Sequence, residues 1–362
     1  MPRVDAFLQL GREQGCSDVH LAVGIPPMLR HNSELSPIKY RNLSNDELQS
    51  LIDEIIPKNA REVYQKHHYA DFSYQSEQMG RYRVSLFNKH GGMGAAFRII
   101  PPNIPTLADL GLPDFVEQKL YSNNGMILVT GSTGTGKSTT LASMINVLNK
   151  TRRLNIITLE DPIEFVHKSA RSLVVQREIG THVSGFQAGL RSALREDPDV
   201  ILVGELRDPE TIAMAMTAAE TGHLVLGTLH TTSAAKTLDR IIDAMPTEQK
   251  AQAANFLAQQ LLMVISQKLV KTADNKGRKA VLEIFVQHPA ISNLIMNGKI
   301  FQVPSVMQTG KGAGMKLMDQ ALMDAVKAKE IDPDDAYLHA TDKQAFQRYV
   351  TDMDLLPQVD LK

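Results

Sequence analysis

The sequence predicts an α/β protein of two domains, the second built around a nucleotide-binding core. Its 362 residues exceed the length that one domain usually holds. A proline cluster at Pro101, Pro102 and Pro105 restricts the backbone and favours an extended linker. Beyond Gly125, apolar runs alternate with helical stretches, as buried parallel strands alternate with helices in α/β cores. We therefore expect a mixed α/β domain over residues 1–105 and a second domain over residues 106–362.

The composition is that of an ordinary globular protein. Apolar residues make up 43% and charged residues 22% of the sequence. Lys and Arg number 39 against 40 Asp and Glu, and the net charge of −1 argues against nucleic acid as the main partner. Cys16 is the one cysteine, so no internal disulfide can form. Because the start resembles no secretory signal and no apolar run is long enough to span a bilayer, we expect a cytoplasmic protein.

The first domain is predicted to mix helices and strands. Apolar residues recur at near-helical spacing in residues 4–14, and Ser44 and Asn45 are suited to cap a second helix within residues 43–56. Polar and apolar side chains alternate along residues 80–88, which is the pattern of a half-buried strand. Two further extended runs are predicted over residues 69–74 and 95–100.

The second domain is predicted to alternate strands and helices up to Pro246 and to be mainly helical after it. The predicted strands are 126–129, 156–159, 200–203 and 224–226, and the predicted helices are 138–149, 186–196 and 209–221. From Ala254 to Leu269, apolar residues recur at spacings of one, three and four, which predicts a wide amphipathic helix. A strand over residues 280–286 and helices over residues 289–297 and 315–329 complete the expected order.

The strongest local signal is a glycine-rich loop over residues 131–139. Its sequence, GSTGTGKST, has phosphate-loop spacing, follows an apolar strand and opens a helix, which is the context that the motif requires. Backbone N–H groups of such a loop turn inward on phosphates, and the helix N-terminus adds its positive end. The expected nucleotide ligands are Ser132, Thr133, Gly134, Thr135, Gly136, Lys137, Ser138 and Thr139. Of these, Lys137 is expected to reach the β- and γ-phosphates and Ser138 to bind Mg²⁺.

Two predicted strands end in acidic residues. Residues 156–159 lead into an acidic segment that ends at Glu164, and residues 200–203 lead into Glu205. In a parallel sheet both ends meet the phosphate loop at the ligand-binding edge, where a hydrolase needs groups to orient water and to hold the metal's hydration shell. Solvated loop acids are the alternative, which the pairing of two strand-end acids with a phosphate loop disfavours.

Two histidines bracket the last of these strands. His230 follows the strand at the expected ligand edge, where a neutral imidazole can hydrogen-bond a phosphate oxygen, and we expect it to sense the γ-phosphate. For His223, at the other end, a structural role is equally compatible with the sequence.

The chain resembles the type IV pilus retraction ATPases (PilT-type) of the secretion-ATPase superfamily. The resemblance extends over nearly the whole sequence and includes residues 17–21, 80–84, 131–139, 159–165, 190–208, 221–231, 239–243 and 314–320. It implies a PAS-like mixed α/β N-terminal domain and a RecA-like P-loop ATPase domain with a helical C-terminal extension. The implied activity is ATP hydrolysis with Mg²⁺, coupled to pilus retraction and twitching motility.

The resemblance also implies site residues and partners. The implied catalytic residues are Glu164, Glu205, His230, Arg81, Arg83 and Arg98. Glu164 is expected to be the general base and Glu205 the Walker B acid that contacts Mg²⁺ through water, while the arginines reach phosphates across a subunit junction. For the arginines, a solvated strand face is the alternative. The family forms a hexameric ring docked at the inner membrane, with the pilus platform protein and a second pilus ATPase as implied partners.

The sequence favours retraction over extension, although it departs from the family at three places. Extension and secretion relatives usually carry a tetracysteine zinc loop, which one cysteine cannot build. The family's C-terminal AIRNLIRE motif appears as AISNLIMN at residues 290–297, without its charged residues. Residues 88–90 replace a stretch usually rich in arginine, and residues 32–35 replace a glycine turn.

Two other functions stay open at this stage. The altered segment at residues 290–297 is compatible with an accessory, nucleotide-gated paralogue that regulates the pilus machine or stiffens a partner ring without hydrolysing ATP. A nucleic-acid translocase could share the core architecture, but the net charge and the lack of a basic run disfavour it.

Overall fold

The structure is a computed structural model that describes residues 1–31, 34–76 and 80–357. By their contacts these residues group into two compact units. The first unit comprises Met1–Ile104 with two short segments, Asp161–Val166 and Glu178–Val183, and the second comprises Pro105–Glu160, His167–Arg177 and Ser184–Lys362. The expected boundary at residues 105 and 106 leaves both short segments in the second domain, whereas their contacts lie with the first unit. In the described ranges no helix is long and apolar enough to cross a membrane.

The first unit is built on one antiparallel six-stranded sheet. Its helices are α1 (Asp5–Glu13), α2 (Asn45–Asp53) and α3 (Lys58–His67), and its strands are β1 (Asp18–Ala22), β2 (Met28–His31), β3 (Glu34–Pro37), β4 (Tyr69–Ser76), β5 (Gly80–Lys89) and β6 (Gly92–Ile99). The strand order is β3-β2-β1-β6-β5-β4. Residues Asn32 and Ser33 of the first hairpin lie outside the described residues.

Alternation along β5 confirms the predicted half-buried strand. Tyr82, Val84 and Leu86 are fully buried, whereas Arg81 and Arg83 lie on the opposite face of the sheet. The buried residues join a core that the helices of this unit cover. The two predicted helices are also present, and the Ser44 hydroxyl caps α2 by accepting a hydrogen bond from the backbone N–H of Glu47 at 3.2 Å, as expected.

The second unit contains a seven-stranded sheet flanked by helices. Its strands are β7 (Gly125–Thr130), β8 (Asn155–Glu160), β9 (Leu173–Glu178), β10 (Val200–Val203), β11 (Leu224–Leu229), β12 (Leu261–Lys271) and β13 (Arg278–Val286), in the order β13-β12-β7-β11-β10-β8-β9. Its helices are α4 (Phe115–Leu120), α5 (Lys137–Thr151), α6 (Phe186–Ala193), α7 (Pro209–Glu220), α8 (Ala234–Ala244), α9 (Lys250–Gln260), α10 (Pro289–Met296), α11 (Val303–Thr309), α12 (Met318–Lys327), α13 (Pro333–His339) and α14 (Lys343–Phe346).

Parallel pairing brings the ends of the central strands to one edge of this sheet. β12, β7, β11, β10 and β8 pair in parallel, and their residues are almost all buried, as the continuous apolar runs predict. Leu229 lies opposite Thr130, and Val203 lies opposite both Gly227 and Leu159. The loops that follow these strands therefore begin at the same edge. The predicted fold class, two α/β domains with a P-loop core, is confirmed.

The predicted helix from Ala254 to Leu269 is wrong in its second half. α9 ends at Gln260, and β12 begins at Leu261 and pairs with β7 on one side and β13 on the other. Apolar residues recur at helix-like spacings here because a strand between two others is buried on both faces, so its sequence does not alternate. The β-branched pair Val264 and Ile265 favours the strand, and tertiary pairing outweighs the helical pattern.

A buried glutamate joins two helices to the edge of the sheet. Glu283 on β13 is 5% exposed, and its carboxylate accepts hydrogen bonds from the backbone N–H groups of Ala234 at 2.7 Å and Met318 at 3.1 Å. These are the first residues of α8 and α12, where helix N–H groups have no partner within the helix. Burial raises the pKa of the Glu283 carboxyl, and the two N–H groups oppose that rise.

This arrangement predicts that Glu283→Leu destabilises the protein. Two buried N–H groups would lose their acceptor, and each such loss costs ~1–3 kcal/mol, so the free energy of unfolding should fall by about 2–6 kcal/mol. Urea denaturation of the purified protein measures this change. Glu283→Gln keeps one acceptor oxygen and should lose less. Equal stability of the Leu variant and the unaltered protein would contradict the assignment.

Candidate active site

Glycines shape the phosphate loop between β7 and α5. Gly131, Gly134 and Gly136 have φ angles of +144°, +80° and +90°, which residues with a side chain rarely adopt. At Gly131 space is limiting as well, because a Cβ atom there would lie 2.5 Å from the backbone oxygen of Gln267. The loop path that the motif predicts from sequence is therefore present and leads directly into the first turn of α5.

Lys137 folds back onto the start of this loop. Its side chain is 9% exposed, and Nζ donates hydrogen bonds to the backbone oxygens of Gly131 at 2.9 Å and Ser132 at 3.0 Å. The Thr135 hydroxyl donates to the same Ser132 oxygen at 2.9 Å. The ammonium thus rests on neutral carbonyl acceptors, and the charged oxygens of a phosphate would be stronger acceptors for it.

Glu205 and His230 meet at the sheet edge. Glu205 lies two residues beyond β10, and His230 directly follows β11. His230 Nε2 is 3.2 Å from Glu205 Oε1, and Arg207 Nε is 3.0 Å from the same oxygen. A cavity of about 410 Å³ is lined by Glu205, Leu206, Arg207, Leu229, His230, Thr231 and Arg240. Glu205 and His230, which the sequence predicts as site residues after separate strands, are therefore in direct contact. Arg207 contacts the same carboxylate.

His223 lies at the opposite end of the same strand. Its Nδ1 atom is 2.9 Å from the backbone oxygen of Ala218, near the C-terminus of α7. Helix ends leave such carbonyl groups without an intrahelical partner. This contact supports the structural role for His223, whereas His230 alone of the two lies at the loop edge.

Glu164 lies in the acidic segment Asp161–Val166, within the first unit. Its carboxylate is 3.9 Å from Arg83 Nη1, which is the outer limit of an ion pair. The segment is fastened by Glu178, whose Oε2 accepts hydrogen bonds from the Ile163 N–H at 3.0 Å and the Ser73 hydroxyl at 3.1 Å. The position of Glu164 is therefore determined mainly by the hydrogen bonds of the preceding residue, Ile163.

Arg81 fastens the same segment from β5. It is largely buried, its Nε donates to the backbone oxygen of Ile163 at 2.7 Å, and its Nη2 donates to Glu178 at 3.4 Å. Within one chain Arg81 thus supports the residue that precedes Glu164. The expectation that Arg81 reaches a nucleotide on another subunit stays a prediction.

Arg83 and Arg98 form part of a charged row across the first sheet. Arg83 lies opposite Arg98, which lies opposite Asp18, which in turn lies opposite Arg30. Asp18 accepts a hydrogen bond from Arg98 Nε at 3.1 Å and lies 3.9 Å from Arg30 Nε. Three arginines with one buried acid leave this row positively charged. A positive row of this kind suits contact with an anion.

The donor groups near the loop fit a magnesium ion. Mg²⁺ prefers oxygen ligands, keeps several waters, and commonly uses one or two protein groups together with substrate phosphates. The Ser138 side chain is exposed in the first turn of α5, and Glu205, which carries the carboxylate, lies just beyond the end of β10. No group of three or more His, Cys, Asp or Glu that could hold a metal occurs in the described part of the chain. The oxygen atoms of Ser138 and Glu205 suit a magnesium ion whose remaining ligands are waters and nucleotide phosphates.

Sequence reasoning missed three residues: one beside Glu205, one in the first unit and one beside the phosphate loop. Arg207 contacts Glu205, Glu178 fastens the acidic segment, and Gln267 borders the phosphate loop. An arginine two residues after a strand-end acid was a usable signal for Arg207. Glu178 and Gln267 come from strands whose pairing the sequence did not predict, so no local pattern marked them.

This fold and site define a RecA-like P-loop protein with a nucleotide-binding edge. Residues 75–329 match the family described as "Type II/IV secretion system protein". A twitching motility protein of Neisseria gonorrhoeae is 47% identical over 319 residues, covering 88% of this chain and 85% of its own. The type IV pilus retraction ATPase PilT of Pseudomonas aeruginosa is also 47% identical over 319 residues, covering 88% and 92%.

A solved structure agrees with these relatives. The crystal structure of the pilus retraction motor PilT with bound ADP has a TM-score of 0.87 and 40% identity, and the match covers 96% of this chain and 99% of that one. The chain belongs to the type II/IV secretion system protein family, and its predicted resemblance to the pilus retraction ATPases is confirmed.

The contacts of the two histidines predict that substitution of His230 affects turnover, whereas substitution of His223 affects stability. His230→Asn should lower nucleotide turnover by ~10²-fold, the usual effect of losing one hydrogen bond to a charged transition state, with little effect on unfolding. His223→Asn is the matched control and should lower stability at a helix end while leaving turnover unchanged. Steady-state phosphate release and urea denaturation measure the two effects. The assignment fails if His223→Asn is the variant that loses turnover.

Proposed function

We propose that this protein is an ATPase motor that powers type IV pilus retraction and thereby twitching motility. One observation carries the proposal: a relative named as a pilus retraction ATPase shares 47% identity over 88% of this chain. The family model matches residues 75–329, a range that includes the phosphate loop and the strand-end residues described above. We propose further that the motor works as a homohexamer, docked at the inner membrane against the pilus platform protein.

In this proposal the phosphate loop binds ATP through its backbone N–H groups and through Lys137. The ammonium leaves the carbonyl oxygens of Gly131 and Ser132 and moves to the β- and γ-phosphates. Ser138, with Glu205 acting through water, would hold Mg²⁺, which supplies charge neutralisation on the phosphate oxygens when bound. Lys137 and the loop thus orient the nucleotide before hydrolysis.

Glu164 is the proposed general base. Its carboxylate takes a proton from the attacking water, and His230 hydrogen-bonds the γ-phosphate from beside Glu205. Because Arg81 and Glu178 fasten the segment that carries Glu164, movement of the first unit would move the base with it. This link offers a way to couple hydrolysis to motion.

Arginines of a neighbouring subunit complete the proposed site. Arg83 and Arg98 lie side by side in the positive row of the first sheet, which suits contact with phosphate charge. An arginine that stabilises the transition state from another subunit is worth ~10³–10⁵ in rate. Hydrolysis would then require the ring, and each subunit would respond to the nucleotide state of its neighbour.

An accessory role in the pilus machine is the second candidate. The observation that favours it is the segment at residues 290–297, where α10 keeps Ile291 and Ile295 buried but presents Met296, which is 51% exposed. Ser292 donates to the backbone oxygen of Ala258 at 2.5 Å. The departures from the family motif thus alter the surface of α10 while its packing is kept, which would affect docking rather than hydrolysis.

Two variants test the chemistry. Lys137→Ala removes the phosphate-binding ammonium and Glu164→Gln removes the base while keeping size, so each should lower phosphate release by at least ~10²-fold. Glu164→Gln should still bind ATP, because the loop is intact, whereas Lys137→Ala should bind it weakly. Turnover by Glu164→Gln at the unaltered rate would refute the base assignment.

Deletion of the gene tests whether the motor retracts pili or assembles them. A deletion strain should carry excess surface pili and lose twitching, and the unaltered gene but not the Glu164→Gln gene should restore movement. Absent pili would indicate assembly instead of retraction. Normal twitching in the deletion strain would support the accessory role, and no phosphate release by the purified protein would identify the form of it that does not hydrolyse ATP.

A further inference from the structure

Gln267 lies directly beneath the phosphate loop. It follows Ser266 on β12, and the pairing of Ser266 with Thr130 on β7 places Gln267 next to Gly131. The Ser266 and Thr130 hydroxyls are hydrogen-bonded at 2.8 Å. Gln267 is 3% exposed, so this polar side chain is held in a fixed, nearly dry environment.

The side chain of Gln267 donates one hydrogen bond to the loop. Its Nε2 group lies 3.3 Å from the backbone oxygen of Thr135, and Gly136 is the next residue along the loop. A trans peptide unit is planar, and its C=O and N–H groups point in opposite directions. Holding the Thr135 carbonyl toward the sheet therefore turns the Gly136 N–H away from the sheet, to the side where a phosphate loop binds its ligand.

The oxygen of the same carboxamide, Oε1, has no hydrogen-bond partner among the described residues. Gln267 Oε1 is buried and accepts no hydrogen bond from any part of the chain that the structure describes. An unpaired buried acceptor is costly, and an apolar side chain of the same length would remove that cost. Packing alone would therefore favour an apolar residue over glutamine at position 267. The feature that glutamine adds is its hydrogen bond to the phosphate loop.

We infer that Gln267 is a positioning residue that orients the Thr135–Gly136 peptide so that its N–H group faces the nucleotide phosphates. The inference deepens the proposed function and rests on it for the identity of the ligand. Phosphate-loop N–H groups contact the α- and β-phosphates, which stay bound while the γ-phosphate reacts. Gln267 should therefore support binding of ATP and ADP alike, and act little on the chemical step.

Gln267→Met tests this inference through affinity and stability together. The dissociation constant of a fluorescent ADP analogue, measured by titration of the purified full-length protein, should rise about tenfold to a hundredfold, as loss of one hydrogen bond to a charged group predicts. KM for ATP should rise by a similar factor with kcat within about threefold. The melting temperature without nucleotide should be unchanged or higher, because the unpaired oxygen is gone.

A matched control separates positioning from simple packing. Gln287 also donates its amide to backbone oxygens, those of Ala258 at 3.2 Å and Gln259 at 2.5 Å, and it lies at the end of β13. Gln287→Met should lower the melting temperature and leave ADP affinity unchanged. If Gln267→Met instead melts several degrees lower, or binds ADP within twofold of the unaltered protein, the inference is overturned.

Gln267→Glu adds a pH-dependent test. An ionised carboxylate cannot donate to Thr135 and repels phosphates, whereas the protonated acid has one O–H to donate. The ratio of its ADP dissociation constant to that of the unaltered protein should fall as the pH is lowered from 8.5 to 5.5, and a flat ratio would contradict the role. These tests measure only nucleotide binding, so their results do not depend on whether the pilus phenotype is as proposed. An unaltered protein that binds no ADP would overturn the inference.

Discussion

Parallel pairing of the central strands is the constraint on which the rest of the structure depends. β7, β11, β10 and β8 are joined in a register that brings the loops after Thr130, Leu229, Val203 and Leu159 to one edge. Residues that are 24 to 99 positions apart in sequence, such as Val203 and Gly227 or Thr130 and Leu229, become neighbours by this pairing alone. The contact between Glu205 and His230 at 3.2 Å follows from this pairing, and β11, which His230 follows, pairs directly with β7, the strand that leads into the phosphate loop.

The phosphate loop is held from two sides. Lys137 donates hydrogen bonds to two of its carbonyl oxygens. Gln267, on the neighbouring strand, donates a hydrogen bond to a third, that of Thr135. The lysine contacts are exchangeable, because a phosphate offers stronger acceptors, while the glutamine contact is buried and fixed. A loop that is set in advance in this way loses less conformational freedom when it binds, and that preorganisation favours affinity.

The sequence predicts the parts of this protein that local patterns determine. Glycine spacing, strand-end acids and helix caps identified the phosphate loop, Glu205 and α2, because each depends on nearby residues. β12 was predicted as a helix because burial on both faces removes the alternation that marks a strand. The support of the segment that carries Glu164 was missed for a related reason: Glu178 accepts a hydrogen bond from the N–H of the preceding residue, Ile163, and no spacing along the chain encodes that contact. The assigned catalytic roles of Glu164, Arg83 and Arg98 stay predictions.

The central claim is that one edge of the second sheet binds nucleotide and magnesium, with Lys137 exchanging loop carbonyls for phosphates. A crystal structure of the full chain with a non-hydrolysable ATP analogue and Mn²⁺ tests it most directly, because manganese is located by its anomalous signal. The account predicts Lys137 Nζ on the phosphates, and the manganese peak bound by Ser138 and linked through water to Glu205. A nucleotide bound elsewhere, or bound at the loop with Lys137 still on the oxygens of Gly131 and Ser132, would contradict it.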